Sequence, residues 1–124
     1  MLLQSFSCLS YESYSVEWVA ENVAKNHNTN SQSMLDNVTL STSAKSDGKN
    51  VIFEYILKIK QNLPISKRNE FANELYKDIV PKACQANKTN AAFDKGLYYT
   101  FIYKNTYGEK LAEFIVDKKL CSKK

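Results

Sequence analysis

The side chains to examine first for chemistry are three cysteines (Cys8, Cys84, Cys121), one histidine (His27) and two glutamates on strand-like segments (Glu54, Glu113). The cysteines are far apart in sequence and none forms a Cys-x-x-Cys pair, so no metal-ligand spacing is present and no metal site is expected. His27 sits in the polar run Asn26-His27-Asn28-Thr29-Asn30-Ser31. With no cysteine or carboxylate beside it, it is read as a solvent-exposed loop residue, which leaves acid–base and triad chemistry nothing to work with. Glu54 and Glu113 could approach each other across a sheet, but carboxylates on a solvated strand face are far commoner than a glycosidase pair. Gly48, Gly96 and Gly108 stand alone and cradle no phosphate. The expectation is a protein that is not an enzyme and carries no cofactor.

Cys84 and Cys121 bracket a hairpin-like stretch. As a disulfide they would close a loop of about 38 residues, worth roughly 4 kcal/mol in the chain-entropy description. That reading places the chain in an oxidising compartment. The alternative is two buried thiols in a cytoplasmic protein. On the disulfide reading Cys8 is left over as a free thiol, an intermolecular partner or a lipidation site.

Composition sets the frame for these residues. With 124 residues, 44 % hydrophobic content, three glycines and two prolines, the chain has the make-up of one ordered domain. Its net charge of +4 includes the terminal lysines Lys118, Lys119, Lys123 and Lys124. Nothing aromatic or Arg-rich accompanies them, so they are read as a solvated tail and no nucleic-acid partner is expected. No run of about 18 apolar residues exists to span a membrane. Residues 1–14 are taken as a flexible N-terminus or a signal remnant, and 15–124 as the domain.

Within the domain, Val16, Val19, Ala20, Val23 and Ala24 lie at helical spacing behind Ser15 as N-cap, with the helix expected to stop at Asn26–Ser31. Leu35 to Ala44 alternates as a strand with Val38 and Leu40 facing inward, and Asp47-Gly48 reads as a hairpin turn. The partner strand runs from Val51 to Ile59. Its apolar residues on both faces place it inside the sheet. Ser66 is expected to cap a second helix carrying the stripe Phe71, Ala72, Leu75, Tyr76, Ile79, Val80 and Ala83, with a kink or restart at Pro81. Leu97–Tyr103 and Leu111–Val116 form a second hairpin around Asn105–Gly108. The order αββαββ reads as α+β: an antiparallel sheet of about four strands, built from two hairpins, with helices on one face and no βαβ crossover. The tyrosine-rich strand has no interleaved basic groove for nucleic-acid stacking, and its exposed part suits a protein partner.

Phe71 through Cys121 resembles the C-terminal half of the α/β-type pilotins of type II secretion, which are small outer-membrane lipoproteins that chaperone the secretin. The residues carrying the likeness are Ala83-Cys84, Lys95-Gly96-Leu97-Tyr98-Tyr99, Gly108 and Leu120-Cys121. The upstream part matches by layout alone. The resemblance implies a helix-covered sheet with a Cys84–Cys121 disulfide, and a groove that takes a secretin C-terminal segment as a helix. The contact residues named for such a partner are Phe71, Leu75, Tyr76, Tyr98, Tyr99 and Tyr103. It also implies a lipid anchor, for which Ser5-Phe6-Ser7-Cys8 supplies a small residue before Cys8 but no Leu three residues before it. A pilotin-like chaperone or adaptor for an envelope protein is therefore the leading expectation. An inhibitor or immunity-type protein acting through its tyrosine-rich surface is the alternative.

Overall fold

The computed structural model describes residues 14–60 and 63–123. The expectations for Cys8 and for nearly all of the N-terminal stretch lie outside the described residues. In chain order the elements are α1 (Val16–Thr29), a 3-10 turn (Ser31–Met34), β1 (Thr39–Asp47), β2 (Asn50–Leu57), α2 (Ile65–Ala86), α3 (Ala91–Asp94), β3 (Tyr98–Lys104), β4 (Lys110–Val116) and α4 (Lys118–Cys121). The four strands form one sheet in the order β1-β2-β3-β4.

The α+β class and the four-stranded sheet agree with the sequence reading, but the sheet is not all antiparallel. The two hairpins pair antiparallel within themselves, whereas β2 and β3 pair parallel, Val51 opposite Tyr99 and Tyr55 opposite Tyr103. A βαβ crossover is therefore present. α2 carries the chain back to the end where β2 began, so the next neighbouring strand must run the same way. Parallel strands read as near-continuous apolar runs because they are interior. Both central strands carry that mark, Val-Ile-Phe-Glu-Tyr-Ile-Leu in β2 and Tyr-Tyr-Thr-Phe-Ile-Tyr in β3.

Register puts Val51, Phe53, Tyr55, Tyr99, Phe101, Tyr103, Phe114 and Val116 on one face. Aromatic rings run across it, with Phe53 stacked on Phe101 at 5.2 Å and Phe101 on Phe114 at 5.5 Å. Both long helices lie on this face. His27 of α1 meets Phe53 edge-on at 4.9 Å, and Tyr76 of α2 meets Phe114 at 5.6 Å. The opposite face carries Ile52, Glu54, Ile102 and Ile115 and bears the Glu54–Lys104 ion pair at 2.8 Å.

Several local expectations are corrected. α1 keeps its Ser15 cap, whose hydroxyl accepts from the Trp18 amide at 3.1 Å, but it continues through the polar run to Thr29. Tertiary contacts of His27 and Asn28 override the weak helix propensity there. β1 starts at Thr39, later than expected. Val38 and Leu40 are more than half exposed, and Thr39, Thr42 and Ala44 point inward instead. The reason is a register irregularity between Thr39 and Ser41, where one extra residue reverses the alternation. In the first hairpin the central pair is Gly48-Lys49, one residue beyond Asp47-Gly48. Gly48 has φ 62° and Lys49 is not at positive φ, the signs of a type II′ turn. α2 is capped by Pro64 without a side-chain bond, Ser66 lies inside the helix, and the helix does not restart at Pro81.

Candidate functional site

On the helical face, α1 lies over β1 and β2 while α2 lies over β4. Between α2 and the segment that runs from the 3-10 turn into β1, a cleft of about 510 Å³ is left open. One wall is the i, i+4, i+8 row Phe71, Leu75 and Ile79 of α2, and the other is Met34 with Asp36 to Thr39. The floor is Tyr55, Leu57 and Tyr103, with the two tyrosine rings stacked at 4.7 Å and 11°.

The walls have local causes. Asp36 holds the second wall in place: its Oδ1 accepts from the Val38 amide at 3.0 Å and the Thr39 amide at 2.9 Å. A hydrogen bond from the Thr39 side chain and these amide bonds draw its carboxyl below the ordinary aspartate value, against a smaller opposing effect of burial. α2 forms the other wall because its apolar stripe recurs every three to four residues, yet only Ala83 in the whole 22-residue helix is buried. Phe71, Leu75, Ile79 and Val80 are only partly buried where they pack on the core, and the first three line the cleft. A helix normally closes such a stripe against its neighbour, so this one is incompletely covered.

Charges at the rim balance. Asp78 pairs with Lys82 at 3.1 Å, and Lys58 and Asp36 stand opposite. The floor is unsuited to ionisation. Burial raises the Tyr103 phenol far above its ordinary value, and the carboxylates of Asp78 and Asp36 add to the rise. Burial likewise raises Tyr55, helped by Tyr103 and opposed by the nearby Thr42 hydroxyl. Neither tyrosine is poised as an acid or base near neutral pH. Among the described residues no group of three or more His, Cys, Asp or Glu could hold a metal ion, and no helix is long and apolar enough to cross a membrane.

The six residues expected at a partner site do not share one surface. Phe71, Leu75 and Tyr103 converge on the cleft. Tyr76, 40 % exposed, turns toward Phe114 instead. Tyr98 lies on the other sheet face from its neighbour. Tyr99 is fully buried, its hydroxyl donating to Asn87 Oδ1 at 2.6 Å, and belongs to the core. Sequence reasoning did not name Met34, Tyr55, Leu57 or Ile79 for the site. Ile79 was within reach, because it continues the Phe71/Leu75 row by one turn. Glu54 and Glu113 flank Ile102 on the open sheet face, and each is bound to a lysine, Lys104 and Lys110 respectively.

Cys84 and Cys121 form a disulfide, with Cα atoms 5.4 Å apart, joining the end of α2 to α4. A bond of this kind is compatible with an oxidising compartment. His27 is not the exposed loop residue expected. It is 2 % exposed, and its Nε2 lies 2.8 Å from Thr42 Oγ1. The signal available was position: His27 follows Ala20, Val23 and Ala24 at the spacing of the buried α1 face.

No family model, curated protein or solved structure matches this chain.

Proposed function

We propose that this protein is a non-enzymatic binding module of an oxidising compartment, a pilotin-like chaperone or adaptor that holds an apolar segment of an envelope protein in the cleft between α2 and the sheet. The observation that carries the reading is the half-covered α2 stripe: Phe71, Leu75 and Ile79 face a cleft floored by Tyr55, Leu57 and Tyr103. An apolar wall about two turns long, with balanced rim charges, suits an amphipathic helix with anchors at i, i+4 and i+8. Tyrosine rings add rigid, amphipathic contact area at its floor. The Cys84–Cys121 disulfide supports the compartment, and the absence of an acid–base pair at the cleft supports a binding role. The inhibitor reading through a tyrosine-rich surface has less support, since Tyr98, Tyr99 and Tyr103 do not lie on one surface.

The test is a photo-crosslinking residue placed at Leu75 and, as control, at Glu17 on the exposed face of α1, in protein exported to the periplasm. Mapping of the adduct to an apolar helical segment of an envelope protein, from Leu75 only, is expected. The same segment made as a peptide should bind the wild type and lose at least ten-fold in affinity to Leu75→Asp. Equal crosslinking from both positions would remove the cleft from the proposal, and a free-thiol count of three would remove the compartment.

A further inference from the structure

α1 rests on the sheet through Val16, Val19, Ala20, Val23 and Ala24, and through one titratable residue, His27. The Thr42 hydroxyl donates to the Glu54 carbonyl at 3.1 Å, so toward His27 it is an acceptor and the ring carries its proton on Nε2. Nδ1 is then an unprotonated nitrogen, buried and without a hydrogen-bond partner. The ring is enclosed by Phe53 edge-on at 4.9 Å and by Tyr55 at 6.1 Å.

A second proton on Nδ1 would create a cation with no anion to meet it. From β2 the titratable group facing the ring is Tyr55, whose phenol stays neutral. From β1 the facing residues are Thr42 and Ala44, both uncharged, while Lys45 and Asp47 are exposed further along. The 3-10 turn Ser-Gln-Ser-Met carries no charge, and Asp94 of α3 is paired with Lys118 at 3.1 Å. On α1 itself Glu21 and Lys25 are on the exposed face. Burial accordingly lowers the imidazole from 6.5 to about 4, even though the helix C-terminus favours a cation there.

We infer that α1 is an acid-releasable latch: protonation of His27 undocks α1 from β1 and β2 while the half of the molecule clipped by Cys84–Cys121 keeps its fold. The division of the chain makes a partial opening available. α1 precedes every strand, packs chiefly on β1 and β2, and lies outside the disulfide loop. A helix so placed can open as a local unit ahead of global unfolding. For a group moved from 6.5 to about 4, proton linkage shifts the docking equilibrium toward release by about 30-fold at pH 5 and on the order of 100-fold at pH 4, relative to pH 7.5.

His27 is the chain's single histidine, so its imidazole signals in an NMR pH titration need no assignment. The expected midpoint is far below 6.5. Native-state hydrogen exchange, corrected for intrinsic rates, should show α1 amides opening in a step less costly than the global unfolding that exposes β3 amides, and losing about 30-fold in protection between pH 7.5 and 5. His27→Gln, neutral throughout, should abolish that loss. An imidazole midpoint at 6 or above in the wild type, or α1 amides protected to the same level as β3 amides at both pH values, overturns the latch. The two wild-type measurements decide the matter even if the variant does not fold.

Discussion

α1 buries Val16, Val19, Ala20, Val23, Ala24 and His27, whereas α2, with 22 residues against 14, buries only Ala83. Both helices cover the same sheet face, but they are held by different means. α1 is held by packing and by polar side chains that reach β1. The Asn28 amide brackets Ala44, donating to its carbonyl at 2.8 Å and accepting from its N–H at 2.7 Å, as a neighbouring strand would. That contact also blunts the β1 edge against pairing with another chain. α2 is held at its C-terminal end by the disulfide and by Ala83, while its middle faces a cleft. The difference separates a helix that completes the core from a helix that leaves apolar surface for something else to cover.

The largest effects should fall under α1. Phe53 is fully buried and touches His27, Tyr99 and Phe101, so Phe53→Ala should cost about 3–5 kcal/mol in urea unfolding. Close behind is the staple. Replacing Cys84 and Cys121 by serine frees a sequence separation of 37 residues and should cost roughly 4 kcal/mol before any compensating relaxation. If α2 depends on that bond as the contrast requires, the double mutant should also expose α2 amides to exchange while α1 amides keep their order of protection. A uniform loss across both helices would erase the distinction.

A smaller effect follows from pH. The folded state holds His27 at about 4 against 6.5. A depressed histidine binds its proton in the unfolded chain first, so its contribution is present above 6.5 and is lost as pH falls toward 4. The full loss is about 3 kcal/mol at 1.36 kcal/mol per unit. Urea midpoints at pH 7.5, 5.5 and 4.5 should fall in that order in the wild type, and the decline should be shallower in His27→Gln. Parallel slopes for the two proteins would assign the acid sensitivity to other groups.

These contrasts were only partly legible in the residues. The α1 and α2 stripes and the two hairpins follow from short-range spacing, and each has its counterpart in the fold, as does the Cys84/Cys121 pair, for which the residues alone left two thiols open. What spacing does not carry is which strand edges meet. The parallel β2–β3 pair is set by the return of the chain through α2, a long-range fact, and only the two-sided apolar character of both strands hinted at it. Val38 and Leu40 were misplaced because a single irregularity near Thr39 reverses a period-two pattern. His27 was misread because its neighbours Asn26, Asn28 and Thr29 favour a loop, and only the docked surface of β1 and β2 keeps them helical. For the cleft, the Phe71/Leu75 wall was visible as a stripe. Its floor combines residues from β2 and β3, whose adjacency the sequence left open.

The smallest effect is the most direct probe of the contrast. Leu75 and Val23 both occupy apolar helical positions, but Val23 is 2 % exposed and Leu75 is half-buried at the cleft. A leucine truncated in a closed core costs about 2–5 kcal/mol, of which a large part is the cavity left behind. At the cleft wall the space already exists and water already reaches it, so the transfer term is partial and the cavity term is small. Leu75→Ala should therefore cost about 1 kcal/mol or less, below even the smaller truncation Val23→Ala. Urea unfolding of the two variants with the disulfide intact makes the comparison. Were Leu75→Ala to cost 3 kcal/mol or more, α2 would be a core helix like α1, and the cleft would close over its own side chains with no surface to offer a partner.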